Sequence, residues 1–167
     1  MNEGDLIQDG DGRIAVITCI VLCFPEGAIA RDNGSISSYS ATDGTLNWFT
    51  IISSRSGRND LESQRDAEMQ ISIDNEKLYY GHFQGELTAL DRNNGNIIWT
   101  SPFSFINDII INDNAIYGST SGKELVSIDQ ASGFLNWRSK ISSEEFTKPF
   151  IAPNNKDKCF IYNLKAF

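Results

Sequence analysis

The chain holds one histidine, three cysteines and scattered carboxylates that nowhere converge into a reactive group. His82 follows Tyr79-Tyr80-Gly81 with no second histidine and no nucleophile near it, so it supports neither a metal site nor a catalytic triad and reads as a loop or strand-end residue. Cys19, Cys23 and Cys159 cannot all pair within one chain, and none belongs to a CxxC or a Cys/His cluster of metal-site spacing. Free buried thiols are the expectation. Asp9-Gly10-Asp11-Gly12 starts like a calcium loop, but Arg13 stands where a third ligand belongs and position 20 is Ile20 instead of glutamate. With no glycine-rich phosphate loop, nucleophile elbow or paired catalytic carboxylates either, the sequence predicts no enzyme, no cofactor and no metal. The chemistry that remains is recognition. Arg55, Arg58 and Arg65 lie in the polar stretch 53–68 and would offer donors to carboxylates on a protein partner, the alternative being a solvated loop without a role.

The elements that would carry such a surface belong to one globular domain. At 167 residues, 40% hydrophobic and 22% charged, the chain is too apolar for general disorder. No apolar run approaches the roughly 18 residues of a membrane-spanning helix. Acids outnumber bases by 22 to 14, which disfavours nucleic acid as a partner. The most apolar stretch, Ile14 to Phe24, follows Asp5, Asp9 and Asp11 with only Arg13 as a base, unlike the core of an export signal. Neither of its cysteines follows the small residues of a lipidation site. Its β-branched richness reads as one or two buried strands.

Internal repeats decide the architecture. The segment from Gly34 through Tyr39, Ser40 and Gly44 to Trp48 aligns with Gly85 through Ala89, Asp91 and Gly95 to Trp99. Gly122 through Ser127, Asp129 and Gly133 to Trp137 is a third copy, with one extra residue after its first glycine. Each copy reads as a strand, a turn and a second strand. The turn glycine supplies a positive φ, and Asp or Ser at 40, 91 and 129 bonds the turn backbone. A second hairpin precedes the later copies: Gln70–Ile73 and Leu78–Gly81 match Ile109–Ile111 and Ile116–Gly118. Four short antiparallel strands per unit of about 40 residues is the pattern of β-propeller blades. Blades are expected at approximately 14–52, 69–100 and 107–139, with a partial one at 147–167. Trp48, Trp99 and Trp137 lie 51 and 38 residues apart, so the first connection is thirteen residues longer than the second, and the excess lies in the polar loop 53–68.

Ala89, Asp91, Gly95 and Trp99 fit the pattern Ala-x-Asp-x-x-x-Gly-x-x-x-Trp at every position, while Ser38 and Ser40 in the first copy and Ser127 in the third depart from it. This resembles the tryptophan-docking repeat of the PQQ-like β-propeller superfamily, over roughly residues 14–162. The resemblance implies a structural docking role for Trp48, Trp99, Trp137, Gly44, Gly95 and Gly133, each tryptophan packing against the neighbouring blade. One branch of the superfamily holds quinoprotein dehydrogenases, with PQQ and calcium on the axis. Another holds BamB-type scaffolds, which bind the periplasmic domains of the BamA insertase. This chain resembles the scaffolds more, because the dehydrogenases are far longer and carry adjacent cysteines near the cofactor. The resemblance implies a non-catalytic protein-binding scaffold in the assembly of outer-membrane β-barrel proteins, located in the periplasm. A quinoprotein remnant and a generic propeller interaction module are the alternatives. A closed ring takes 4 to 8 blades, so three blades and the start of a fourth predict a partial propeller. It would be a fragment, a split gene product, or an arc completed by another chain, self-association included, with a closed four-blade ring as the alternative.

Overall fold

Leu87 to Asp91 alternates side chains between two faces, and the same alternation recurs on either side of every turn glycine, which commits the chain to short antiparallel strands. The computed structural model describes residues 6–8, 14–23, 26–31, 34–52, 70–81, 85–105, 108–120, 122–140, 150–152 and 159–161. In the first sheet, β1 (Leu6–Gln8), β2 (Ile14–Cys23), β3 (Glu26–Arg31), β4 (Ser35–Ser40) and β5 (Leu46–Ile51) follow one another in space as in sequence. The second sheet holds β6 (Gln70–Ile73), β7 (Lys77–Gly81), β8 (Leu87–Asp91) and β9 (Ile97–Ser101). The third holds β10 (Ile110–Asn112), β11 (Ala115–Ser119), β12 (Glu124–Asp129) and β13 (Leu135–Lys140). A two-stranded sheet of β14 (Phe150–Ala152) and β15 (Cys159–Ile161) comes last. The apolar run at the N-terminal end forms one long strand, β2, whose first half pairs with β1, a strand too short to announce itself in the sequence.

The repeated turns share one construction. Gly44, Gly95 and Gly133 have φ of 73°, 73° and 74°, the left-handed region that only glycine enters without steric cost. Each glycine N–H donates to the carbonyl four residues back, at Ser40, Asp91 and Asp129, with N···O of 2.8 to 2.9 Å. The Asp91 carboxylate accepts from the Asn93 and Asn94 amides, and Asp129 accepts from the amide and hydroxyl of Ser132. A register shift falls at the same place in all three sheets, between Ser38 and Tyr39, Ala89 and Leu90, and Ser127 and Ile128. It sits beside the pairs Ser38–Trp48, Ala89–Trp99 and Ser127–Trp137, so every tryptophan faces a small residue across the ladder. The extra residue of the third copy is absorbed near Lys123, which takes a φ of 57°.

The core consists of two interfaces between sheets. Ala28, Ala30, Ile36 and Trp48 of the first sheet pack with Ile71, Leu78, Tyr80 and Leu90 of the second. The opposite face of the second sheet, with Tyr79, Leu87, Ala89 and Trp99, packs with Phe105, Ile116, Val126 and Ile128. Sheet two is thus apolar on both faces, and alternation within Leu78-Tyr79-Tyr80 serves the two cores in turn. The first sheet also buries a charge: Arg31 is 0% exposed and donates to the hydroxyls of Ser37 at 2.7 Å and Tyr39 at 3.2 Å.

The Asp129 carboxyl is held below its ordinary value of 3.8 by the Ser132 hydroxyl first and the Ser132 amide second, and Asp43 is lowered by Ser40 and Thr45 in the same manner. A carboxyl with a lowered folded-state pKa contributes stability above its unfolded pKa and loses it as pH falls through the folded one. Replacing Asp129 by Ala is therefore expected to lower the urea midpoint at about pH 7, with the gap to the parent narrowing below pH 3.8, as urea titrations at both pH values will show.

Candidate docking interface

The repeated tryptophans lie on the outer strand of each sheet opposite a small residue, and Trp48 and Trp99 reach the next sheet's turn. Trp48 on β5 is 7% exposed, and its ring lies so close over Gly95 that a Cβ there would sit 2.4 Å from Cε3. Its indole N–H donates to the Arg92 carbonyl at 2.8 Å, and Thr50 Oγ1 donates to the Gly95 carbonyl at 2.7 Å. Trp99 on β9 repeats the arrangement one sheet further on. It is 9% exposed, a Cβ on Gly133 would lie 2.6 Å from its ring, and its N–H donates to the Gln130 carbonyl at 3.2 Å. The glycine therefore does two things at once: it permits the positive φ of the turn and leaves a bare patch of backbone for the indole.

Polar arms from the same turns reach back to the preceding sheet. Arg92 Nε lies 3.3 Å from Glu26 Oε2 of the first sheet, while its Nη1 donates to the Asp74 carbonyl of its own sheet at 3.2 Å. Gln130 Nε2 donates to the Asp74 carboxylate and, at 3.0 Å, to Tyr79 Oη, while Tyr79 donates to Asp74 Oδ2 at 2.9 Å. Burial pushes the Tyr79 phenol well above its ordinary range, the Gln130 bond opposes that, and the Asp74 carboxylate adds to it. The neutral phenol donates within sheet two, to Asp74, and accepts from Gln130 of the third sheet's turn, and this accepted bond fastens sheet two to sheet three.

The third tryptophan and the first glycine stand differently. Trp137 on β13 keeps the aromatic neighbour of its counterpart, with Tyr117 at 6.2 Å as Tyr79 stands 6.0 Å from Trp99. Yet it is 41% exposed. Gly44 has the φ of the other turn glycines, but no heavy atom comes within 4 Å of the Cβ position. Arg55, Arg58 and Arg65, with the whole loop 53–68, lie outside the described residues, as do His82, Asp9 and Asp11. Sequence reasoning passed over Arg31, Asp74, Tyr79, Arg92 and Gln130. Arg92 and Gln130 occupy one position of the turn, where the first copy has Ala41, so no recurring identity marked them. The hydroxyl two residues after each tryptophan, Thr50, Ser101 and Ser139, does recur, although of Thr50 and Ser101 only Thr50 bonds the turn glycine's carbonyl. Among the described residues, no group of three His, Cys, Asp or Glu could hold a metal ion, and no helix is long and apolar enough to cross a membrane.

Residues 12–139 match the sequence profile of the family described as outer membrane protein assembly factor BamB. The chain belongs to that family. BamB from Legionella pneumophila (strain Paris) is 27% identical over 128 residues, covering 76% of this chain and 33% of the relative. The chain thus spans about a third of the length of the curated BamB relatives it matches. The crystal structure of BamB from Moraxella catarrhalis superposes with a TM-score of 0.62 at 17% identity, over 78% of this chain and 40% of that one. A europium-containing methanol dehydrogenase superposes at 0.57 and 13% identity, over 83% and 27%. Both likenesses show the fold, a PQQ-like β-propeller of which the BamB-family chain here is a part.

Two substitutions separate the turn's conformational demand from its docking demand. Gly44→Ala and Gly95→Ala both place a side chain at a φ of 73°, but only Gly95→Ala drives a methyl into an indole. In dilute solution Gly95→Ala is expected to destabilise by about 1–3 kcal/mol more than Gly44→Ala, measured by urea unfolding. Trp99→Ala, which empties the second core of its largest ring, is expected to cost about 3–5 kcal/mol, and an unchanged melting temperature would remove the docking role.

Proposed function

We propose that this chain is a non-catalytic protein-binding scaffold of the BamB type, working in the periplasm in the assembly of outer-membrane β-barrel proteins. The observation that carries the reading is the family match over residues 12–139. The geometry supports it. Trp48 on Gly95 and Trp99 on Gly133 are engaged in stacking sheet on sheet, which makes a frame whose rims and loops are left to meet other proteins. The likeness to a methanol dehydrogenase is one of fold, which hosts unrelated functions, and it adds no support for an enzymatic role.

The partner this reading names is the periplasmic portion of a BamA-type insertase, and the polar loop 53–68 is the segment proposed to meet it. Titrating the purified periplasmic domains of such an insertase into the chain is expected to give saturable binding by calorimetry. Added PQQ with calcium is expected to leave both melting temperature and binding unchanged; binding of PQQ in place of the insertase domains would return the protein to the quinoprotein branch. Replacing Arg55, Arg58 and Arg65 together by alanine is expected to weaken insertase binding roughly tenfold with folding intact, from three charge pairs of modest individual strength. An unchanged dissociation constant would take the loop out of the interface.

A further inference from the structure

The three turns carry Asp43, Asn94 and Ser132 immediately before their glycines. In each copy this side chain accepts from the amide two residues on: Asp43 Oδ1 from Thr45 at 3.1 Å, Asn94 Oδ1 from Asn96 at 2.9 Å and Ser132 Oγ from Phe134 at 3.4 Å. The bond is common to all three, but the chemistry is not, because an asparagine ahead of a glycine is labile. The glycine nitrogen, unhindered by a Cβ, bonds to the asparagine Cγ and closes a five-membered succinimide. The Cγ–Nδ2 bond breaks, and the nitrogen leaves as ammonia with the glycine's amide proton. Water then opens the ring to aspartate or, with the main chain rerouted through the side chain, to isoaspartate. Asn94-Gly95 is the one such pair among the described residues, since Asn33 of Asn33-Gly34 lies outside them.

In the docked turn the reacting groups are engaged elsewhere. Asn94 is exposed to water, but Gly95 is buried, its N–H donates to the Asp91 carbonyl at 2.8 Å and its carbonyl accepts from Thr50 at 2.7 Å. The Asn94 amide oxygen is held on the Asn96 N–H, which fixes Cγ as well. Attack requires the glycine nitrogen to give up Asp91 and the Asn94 side chain to swing back onto it, and both require the turn to lift from beneath Trp48. We propose that Asn94-Gly95 is a modification site gated by the contact between the first and second sheets, closed while Trp48 lies on Gly95 and open to succinimide formation when the turn lifts, and that the isoaspartate formed there prevents the turn from docking again. Aspartate at position 94 suits the turn, since Asp43 holds that place in the first copy with the same amide bond. Isoaspartate does not. It inserts an extra backbone carbon ahead of Gly95 and displaces a glycine so closely covered that a Cβ on it would lie 2.4 Å from the indole. The modification records each opening of this blade contact in one direction only, with water as the sole co-reactant.

The test is peptide mapping by mass spectrometry on the full chain held at mildly alkaline pH with and without urea, with isoaspartate scored by isoaspartyl methyltransferase labelling. Conversion at Asn94 is expected to run at least roughly tenfold slower in the folded chain than in urea, because only the opened fraction reacts. Thr50→Val removes the hydroxyl bond to Gly95 and keeps the shape of the side chain. It is expected to speed conversion in the folded chain roughly fivefold and to leave the rate in urea unchanged. Chains converted in urea, refolded and resolved by ion exchange supply the second readout. The isoaspartate form is expected to melt below Asn94→Asp, which carries the same charge on an ordinary backbone. Absence of conversion in urea overturns the site. Equal rates in folded and unfolded chains, or a Thr50→Val rate equal to the parent's, overturn the gating, and an isoaspartate form that melts with Asn94→Asp overturns the loss of docking.

Discussion

An indole laid flat on a residue that has no side chain is the contact from which the rest of this structure follows. A four-stranded sheet of this size cannot bury both its faces alone, and in this chain the neighbouring sheet does so, with a tryptophan at the outer end of each contact. The ring needs backbone rather than side chain beneath it, and the turn that supplies the backbone needs a residue able to adopt positive φ. Glycine satisfies both demands at Gly95 and Gly133. The indole N–H, buried by the same move, finds a carbonyl of that very turn.

Around this contact the polar arms add direction. Apolar packing alone allows two sheets to slide, whereas a guanidinium on Glu26 and an amide shared between Asp74 and Tyr79 tie defined points of adjacent sheets together. The arms differ between blades, an arginine in one and a glutamine in the other, because each meets a different preceding turn. The common frame is therefore held by recurring residues and its individual joints by residues that do not recur. Such a frame holds its rims and connecting loops in fixed relative positions.

The same frame serves dehydrogenases as well as assembly factors, which is why the architecture does not decide the function. The functional reading comes from the sequence relationship over residues 12–139. Among the described residues, the aromatic and acidic side chains named above are engaged in cores and turns.

The repeat was legible in the sequence because its physics is local. A turn that needs positive φ selects glycine, a turn that needs its amides bonded selects Asp or Ser, and a strand beside a core alternates. The spacing from Ser38 to Trp48, Ala89 to Trp99 and Ser127 to Trp137 is therefore enough to declare the hairpins. The short β1, the buried Arg31 and the Asp74–Tyr79–Gln130 network were not legible, because a three-residue strand has no periodicity to read and a charge becomes buried only through neighbours distant in sequence. A partial propeller already implies an open face at each end of the arc, but how deeply each repeated residue is buried, 7% and 9% exposed for Trp48 and Trp99 against 41% for Trp137, is not in the motif. The unit and its turn chemistry are local and were read from residue types and spacing; the depth of burial came from the tertiary structure, since burial is a property of the surface laid against a residue and not of the residue.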